Sequence, residues 1–468
     1  MNLNFQIPGV VSRRYISEIK GRGLFAEKTF EKGDVVFSER PLFSVQHVYN
    51  RATAWTCGNC FRFLGSLNKQ MLHYRKVFGI REQSELPEFD FPPYTFQTKV
   101  FSCFAKCGEK YCSEECRNEA FYNHHQVLCV GEQTPENNPM YLFKKHSIDT
   151  NELFLLAAQA IAYLICKVGN DQPMVENSNT TTSSNTTTTT TTTSSSSTNE
   201  SQQNIPLAER ICKEFFQEYQ HRDWWDVRID DNFTNEEARK WSQESLELLR
   251  KALLPLLQNN PRTNNAVFIN TILSMEFYSH LLGLLEMNDN SIGFFNPLET
   301  FRRNLDTIPN IPQNHKDHIK SIMHSTVEEF RKYLGYQEEE CDEEGCDHDH
   351  SGHMMDGSGH ESHGHHHDHG DSAMDENEEE EVEEVFPSFD GYGIFGLQAM
   401  VNHSCEPNIN VAFSNSDNRA HIMALRRIEA GEELYHSYID EELPYDIRQE
   451  DLVTYGFKCE CRKCKARE

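Results

Sequence analysis

The chain has 468 residues, room for two to four domains at roughly 100–200 residues each. Its formal charge is −29, but the stretch from Glu338 to Glu384 carries 20 acids and no Lys or Arg, leaving −9 on the other 421 residues. That distribution excludes a globally basic nucleic-acid binder and describes an ordinary globular chain with one acidic insert. The longest apolar stretch, Leu153 to Cys166, is 14 residues with Gln159 inside it, which suits a buried helix better than a membrane span. Met1 to Pro8 shows no basic segment ahead of an apolar one, so no secretory leader is expected. The expected compartment is cytoplasm, nucleus or both. Thiols stay reduced there, so fifteen cysteines suggest metal rather than disulfides.

In chain order, residues 1–56 read as strands punctuated by Gly21, Gly23 and Gly33. Residues 57–129 hold seven of the fifteen cysteines. Residues 140–170 read as helical, and Asp149 with Glu152 ahead of Leu153 reads as a capping box. Asn177 to Asn204 is almost pure Thr, Ser and Asn. It has nothing to bury against its ordering entropy, so disorder is expected. Residues 205–336 again read as helical, with Leu246, Leu248, Leu249, Leu253 and Leu256 at helical spacing. Glu338 to Glu384 mixes acids, Gly and nine His, and disorder is expected there too. Both tracts sit as insertions, which loop-closure entropy tolerates. Residues 386–468 return to short strands and end with three more cysteines. Cys166 and Cys212 fall in apolar helical patterns and read as core.

Cys57-x2-Cys60, Cys103-x3-Cys107, Cys112-x3-Cys116 and His125-x3-Cys129 make eight ligand-type residues in four close pairs. That is enough for two tetrahedral Zn²⁺ sites. The arrangement, with Tyr111-Cys112 and the closing His125-Gln126-Val127-Leu128-Cys129, resembles the MYND zinc finger. The resemblance implies interleaved ligands: Cys57, Cys60, Cys112 and Cys116 on one zinc, and Cys103, Cys107, His125 and Cys129 on the other. His124 is the rival to His125, which is favoured on spacing. Two features depart from the finger: x3 in place of x2 between the third and fourth cysteines, and a long gap from Cys60 to Cys103. That gap implies a surface excursion.

The two ends of the chain carry a second set of motifs. Near the start stand Lys20-Gly21-Arg22-Gly23-Leu24-Phe25-Ala26 and Glu31-Lys32-Gly33-Asp34. Near the end stand Asn402-His403-Ser404-Cys405-Glu406-Pro407-Asn408, Gly431-Glu432-Glu433-Leu434 with Tyr438, and Tyr455-Gly456-Phe457-Lys458-Cys459-x-Cys461-x2-Cys464. Each alone reads as a turn or a polar corner. In this order they resemble the SET domain of protein-lysine methyltransferases. A MYND finger after the first SET strands places the likeness in the SET-and-MYND family, closest to its fifth, divergent type.

The resemblance implies an α+β fold: a SET domain of small β-sheets with a C-terminal pseudoknot, interrupted by the finger and a helical insert. The implied divisions are 1–56 for the N-terminal SET part, 57–129 for the finger and 130–337 for the helical insert. They continue with 338–384 for the acidic His-rich insert, 385–440 for the C-terminal SET core and 441–468 for a post-SET zinc segment. The implied cofactors are S-adenosylmethionine (SAM) and three structural Zn²⁺. Lys20, Gly21, Arg22 and Gly23 would approach SAM, the glycines letting the backbone come close. Asn402 and His403 would contact it from the strand beyond. Tyr438 would be the catalytic tyrosine, Tyr455 would line the lysine channel, and Phe457 would stack near the adenine. Cys405, Cys459, Cys461 and Cys464 would hold the third zinc. The SAM contact from the helical insert falls on Asn288 or Asn290, and these stay open. A further upstream Asn of the family has no clear match, Ser388 standing about where it belongs.

The chemistry needs such a site. Methyl transfer is an in-line displacement by a neutral amine, so alignment, desolvation and placed dipoles matter most. The function implied is a SAM-dependent protein-lysine N-methyltransferase acting on histone or other basic proteins such as ribosomal ones. The alternative is a finger-based interaction scaffold with an idle SET fold. Proline-rich peptides are expected partners for the finger, with no membrane, no direct nucleic-acid role and a monomeric state. The nine His of the acidic insert, with Cys341 and Cys346, read as a solvated tract, and its charge would steer basic proteins towards the chain.

Overall fold

A computed structural model describes residues 6–170, 219–333 and 386–467, except 19, 81–85, 95, 97–98, 220, 228–232, 387, 414–416 and 454. The Thr/Ser/Asn tract, the acidic His-rich insert and Cys212, Cys341 and Cys346 lie outside the described residues.

The strands are short, as the frequent Gly turns dictate. They are β1 (Gln6–Ile7), β2 (Val11–Ser17), β3 (Gly21–Ala26), β4 (Val35–Glu39) and β5 (Phe43–Gln46), then β6 (Phe101–Ser102) and β7 (Lys110–Tyr111) in the cysteine-rich segment. After the helical region come β8 (Asp289–Phe294), β9 (Phe389–Ile394), β10 (Asn402–His403), β11 (Ile409–Ala412), β12 (Ala420–Ala424) and β13 (Tyr435–His436). Among the described residues they form five small sheets, ordered β1-β2-β3, β11-β12-β4, β5-β9-β8, β6-β7 and β10-β13. Two of these sheets join strands from both ends of the chain, which brings the N-terminal and C-terminal motifs into one body. The mixed helix and small-sheet architecture is the α+β arrangement expected.

The helix Leu153–Asn170 lies inside this body. Phe154, Leu156, Ala157, Ala158, Ala160, Ile161, Ala162 and Leu164 are all within 1% of full burial. The stripe of Leu155, Gln159, Tyr163 and Lys167 is partly exposed, and most of the helix surface packs into the core. Each large buried side chain there contributes about 1.5–3 kcal/mol. Among the described residues no single helix is long and apolar enough to cross a membrane. The capping box expected at Asp149 and Glu152 does not form. Asp149 closes the preceding helix Pro139–Asp149 and pairs with Lys145 at 2.6 Å. Asn151 Oδ1 accepts from Leu153 N instead, and Glu152 accepts from Val48 N and faces His47. A capping box does stand at Thr234 and Glu237, opening the helix Asn235–Asn259. Leu246, Leu249, Leu253 and Leu257 of that helix are buried, whereas Leu256 is 49% exposed.

Two other sequence expectations change. Residues 205–336 are not uniformly helical, because β8 interrupts them and pairs antiparallel with β9 from Asp289↔Ile394 to Phe294↔Phe389. Alternation of buried Ile292 and Phe294 with smaller polar residues suits a strand, but only the distant β9 supplies the partner. The excursion between Cys60 and Cys103 is no surface loop. Leu67, Met71, Tyr74 and Phe89 from it are each at most 1% exposed, and Tyr74 Oη accepts from Asn296 Nδ2 at 2.9 Å. Its apolar residues are used in the main core.

The cysteine-rich segment is fixed to the strands by polar contacts around its rim. Arg51 pairs with Glu109 at 2.5 Å, Arg40 with Glu119 at 3.1 Å and Arg62 with Asp417 at 2.8 Å. Asn418 N donates to Cys60 O at 2.9 Å.

Candidate functional site

The residues singled out at both ends of the sequence meet in one place. Strand β10 runs parallel to β13, with Asn402 opposite Tyr435 and His403 opposite His436. Leu434 N donates to Leu24 O at 2.8 Å, which lays this pair against β3. Asn402 Nδ2 donates to Arg22 O at 3.0 Å and to Glu433 Oε1 at 2.8 Å. Lys20 Nζ stands 5.6 Å from the Tyr435 ring, and the Tyr435 hydroxyl donates to Glu433.

The two glycines of the Lys20–Gly23 turn have different reasons to be glycine. Gly21 adopts φ +64, a left-handed conformation that L side chains avoid. Gly23 is buried where the strands cross. A Cβ there would sit 2.6 Å from Glu433 Oε1 and 2.9 Å from Asn402 Nδ2. Its missing side chain thus makes room for Asn402 itself. Gly23→Ala is expected to push Asn402 and Glu433 aside and to cost ~1–3 kcal/mol of stability, read as a lower urea midpoint at unchanged slope.

Tyr438 is the centre of an aromatic group. Its ring centroid lies 4.8 Å from His436, 5.3 Å from His403, 5.0 Å from Tyr455 and 6.3 Å from Phe457. Its hydroxyl donates to Val401 O at 2.7 Å, and the Tyr455 hydroxyl donates to Tyr438 O at 3.4 Å. Burial holds the Tyr438 phenol well above its ordinary range, and Tyr455 and Glu433 push it further. Burial does the same to Tyr455, followed by the charges of Asp289 and Glu286. Both phenols are therefore neutral hydrogen-bond donors at neutral pH.

His403 links this group to the last cysteines. Tyr438 N–H can only donate, so His403 Nδ1, 3.0 Å away, accepts and the proton of the neutral ring sits on Nε2. That nitrogen lies 3.3 Å from Cys405 Sγ. Asn290 and Asn288, open in the sequence, are separated by the structure. Asn288 Nδ2 turns back to Leu284 O at 2.7 Å. Asn290 forms a reciprocal pair of 2.7 Å hydrogen bonds with Gln398, whose Nε2 lies 3.4 Å from His436 Nε2. Asn290, one of the two residues left open, joins the group with Gln398, His436 and Glu433, and the last three were not singled out for it by sequence. Only Glu433 stood in a quoted motif, and nothing local marked its part.

The cysteines gather into three groups: Cys57, Cys60, Cys112 and Cys116; Cys103, Cys107, His125 and Cys129; and Cys405, Cys459, Cys461 and Cys464. Within each, all donor atoms lie within 4.8 Å of one another. Sγ–Sγ separations include 3.6 Å for Cys60–Cys112, 3.5 Å for Cys112–Cys116 and 3.5 Å for Cys405–Cys464. Thiolates bound at ~2.3 Å around a tetrahedral zinc stand roughly 3.8 Å apart, so donor set and spacing fit that ion. The x3 spacing from Cys103 to Cys107 is closed by a turn in which Lys106 N donates to Cys103 O at 3.0 Å and Lys106 takes φ +53. Ser113 caps the helix Glu114–Ala120, whose first turn brings Cys116 back beside Cys112. His125 Nε2 lies 3.2 Å from Cys103 Sγ and 3.3 Å from Cys107 Sγ, whereas His124 is not in the group. Burial pulls His125 down to about 4, keeping the neutral imidazole that a metal takes. Around the third group, Arg448 Nη2 at 3.9 Å and Gln449 Nε2 at 3.2 Å donate to Cys464 Sγ, a cation and an amide suited to thiolate charge.

The family model of the SET domain matches residues 200–439, about half of the chain. The chain belongs to the SET-domain family. It is similar along nearly its whole length to the histone-lysine N-methyltransferase ATXR2 of Arabidopsis thaliana, at 27% identity over 95% of this chain and 88% of that one. It is similar to the protein-lysine N-trimethyltransferase SMYD5 of Danio rerio at 23% identity, over 97% of this chain and 86% of that one. A shorter likeness, 42% over 79 residues, joins it to the N-lysine methyltransferase SMYD2-A of Xenopus laevis, covering 17% of this chain and 18% of that one. This SET-domain protein is a divergent member of the SET-and-MYND type, and the cysteine groups fit that type's zinc chemistry.

Proposed function

We propose that this SET-domain protein-lysine methyltransferase acts on exposed lysines of basic proteins, histone tails or ribosomal proteins among them. We further propose that SAM lies along β10, with Lys20, Gly21, Arg22, Gly23, Asn402, His403 and Phe457 around it, and that the three cysteine groups hold zinc. The supporting observation is the convergence of Tyr438, Tyr455, His403 and Asn402 from separate C-terminal segments, with Asn402 bonded to Arg22 O from the other end of the chain. A cationic side chain (Lys20), glycine backbone, a carboxamide and half-buried rings suit a zwitterionic amino acid joined to an aromatic base.

When bound, SAM supplies a methyl group on a positively charged sulfur. The chain's own residues supply alignment and desolvation. Tyr438 holds its hydroxyl on Val401 O, so the phenol oxygen has a set direction before any acceptor arrives. The Tyr438 and Tyr455 rings exclude water and so disfavour the charged form of a lysine between them. Glu286 places negative charge beside Tyr455, which attracts a lysine ammonium from solvent, while burial and the Glu286 charge hold the neighbouring Asp289 carboxyl well above its ordinary range. Glu286 is held there by Trp224 Nε1 at 3.1 Å. The change Glu286→Gln is therefore expected to raise KM for the lysine acceptor at least about fivefold, with kcat within about threefold. Steady-state kinetics with saturating SAM reads this, and an unchanged KM sinks the acidic-wall idea.

The direct test is transfer of labelled methyl from SAM to core histones and ribosomal proteins by the full chain. Label on a basic acceptor supports the reading. A zinc-loaded chain that neither binds SAM nor labels any acceptor would favour the scaffold instead. One surface fits a binding role alongside catalysis. On the finger, Phe104 is 50% and Tyr122 57% exposed, with Arg117 4.2 Å over the Phe104 ring. Exposed aromatic rings of this kind suit a proline-rich segment.

A further inference from the structure

Glu39 closes β4 with its carboxylate turned towards the segment that leads into the site. Oε1 accepts from Gly396 N at 3.0 Å and Leu397 N at 2.9 Å, and Oε2 from Leu397 N at 3.0 Å and Gln398 N at 3.1 Å. Three successive N–H groups converge on one side chain from 357 to 359 residues away. They are the donors that the start of a helical turn leaves without a partner, and the 3₁₀ turn Gln398–Met400 begins there. A Cβ on Gly396 would lie 2.8 Å from Glu39 Oε1, so the approach is as close as glycine permits.

The turn held in this way carries much of the site. Gln398 pairs with Asn290 and reaches His436. Val401 supplies the carbonyl that fixes the Tyr438 hydroxyl, and Asn402 follows directly. Resting on the reading that SAM lies along β10, we propose that Glu39 is a positioning residue for the methyl-donor site. Ionised, it gathers the N–H groups of Gly396, Leu397 and Gln398 and sets the turn that presents Asn290, Val401 and Asn402. Protonated, it directs an O–H at those donors and releases the turn.

Burial lifts the Glu39 carboxyl to about 7, against the downward pull of the Leu397, Gln398 and Gly396 N–H groups. The titratable groups on the elements around it are His421, bonded to Ser38 at 2.8 Å, Arg40, paired with Glu119, and His436 beyond Gln398. Cofactor affinity then rises with pH through this range. Fold stability runs the other way. A carboxyl raised in the folded state from 4.5 to about 7 contributes stability that is complete below 4.5 and is lost as pH rises through 7.

The experiment is SAM titration calorimetry with thermal unfolding, from pH 6 to pH 8, on the full chain and its Glu39→Gln and Glu39→Asp variants. The wild type is expected to bind SAM up to about tenfold more tightly at pH 8 than at pH 6. Glu39→Gln is expected to bind at least about fivefold more weakly at pH 8, with a flatter pH profile and a Tm equal to or above wild type at that pH. Glu39→Asp, which keeps the charge, is expected to restore part of the affinity and of the pH slope. Wild-type affinity in Glu39→Gln at every pH overturns the inference. So does weak binding with a parallel fall in Tm and an unchanged pH slope, the mark of a merely structural role. A wild-type chain that binds no SAM at any pH overturns the methyl-donor reading, and this inference with it.

Discussion

Tyr438→Phe is expected to lower kcat by about 100- to 1,000-fold while SAM affinity stays within a few-fold. The ring is packed on four sides, by His403, His436, Tyr455 and Phe457, so phenylalanine keeps the shape. What is lost is one hydroxyl held on Val401 O at 2.7 Å. A positioned dipole that serves only the moving charge shows its loss in kcat and not in binding. Single-turnover rates beside SAM calorimetry read the two separately. A variant with the wild-type rate would remove Tyr438 from the chemistry. One that neither folds nor binds SAM would instead make its hydroxyl structural.

The second large effect is expected at the third cysteine group. Cys464→Ser should lower the zinc content from three ions per chain to two and weaken SAM binding at least about tenfold. The link is short. Cys405 belongs to this group, its Sγ lies 3.3 Å from His403 Nε2, and His403 Nδ1 accepts from Tyr438 N. Tyr455 and Phe457 stand two to four residues ahead of Cys459 and depend on the same anchor. Cys57→Ser, in the finger, should also remove one zinc but leave SAM affinity within about threefold, because the finger's cysteines pack in a cluster apart from the one that holds Cys405, Tyr438 and Phe457. Metal analysis and calorimetry on both variants check this. Equal losses of SAM binding in the two would mean that zinc supports the whole fold and that the third group has no special tie to the site.

The site was legible in part because its ingredients are local. Cysteine pairs at x2 and x3 spacing place thiols together through one turn of chain, so residue type and short-range order mark the ligand pairs, and the resemblance to the MYND finger implied how the pairs interleave. The Asn402-His403 and Tyr438 motifs are likewise compact. The strand β8 was not legible. Asp289-Asn-Ser-Ile-Gly-Phe is too short to show a period against the helices on either side, and β9 supplies its partner from about 100 residues away. The capping box misread at Asp149 has a similar cause. Glu152 has the residue type a box needs, but Val48 N and His47 offered it partners from across the fold.

By itself, the sequence marked the cysteine and histidine pairs, through residue type and spacing within a few positions. The resemblance of its motifs to the SET domain and the MYND finger implied how those pairs interleave, the aromatic and carboxamide residues of the candidate site, and the α+β class. Only the tertiary structure decided that Asn290 rather than Asn288 faces Gln398, that Gly23 is empty for the sake of Asn402, and that Glu39 holds the turn at Gly396–Gln398. Those pairings join residues 108 to 379 positions apart. Which of many similar polar groups meet at such separation is set by how buried strands and helices pack, and no local pattern carries that choice.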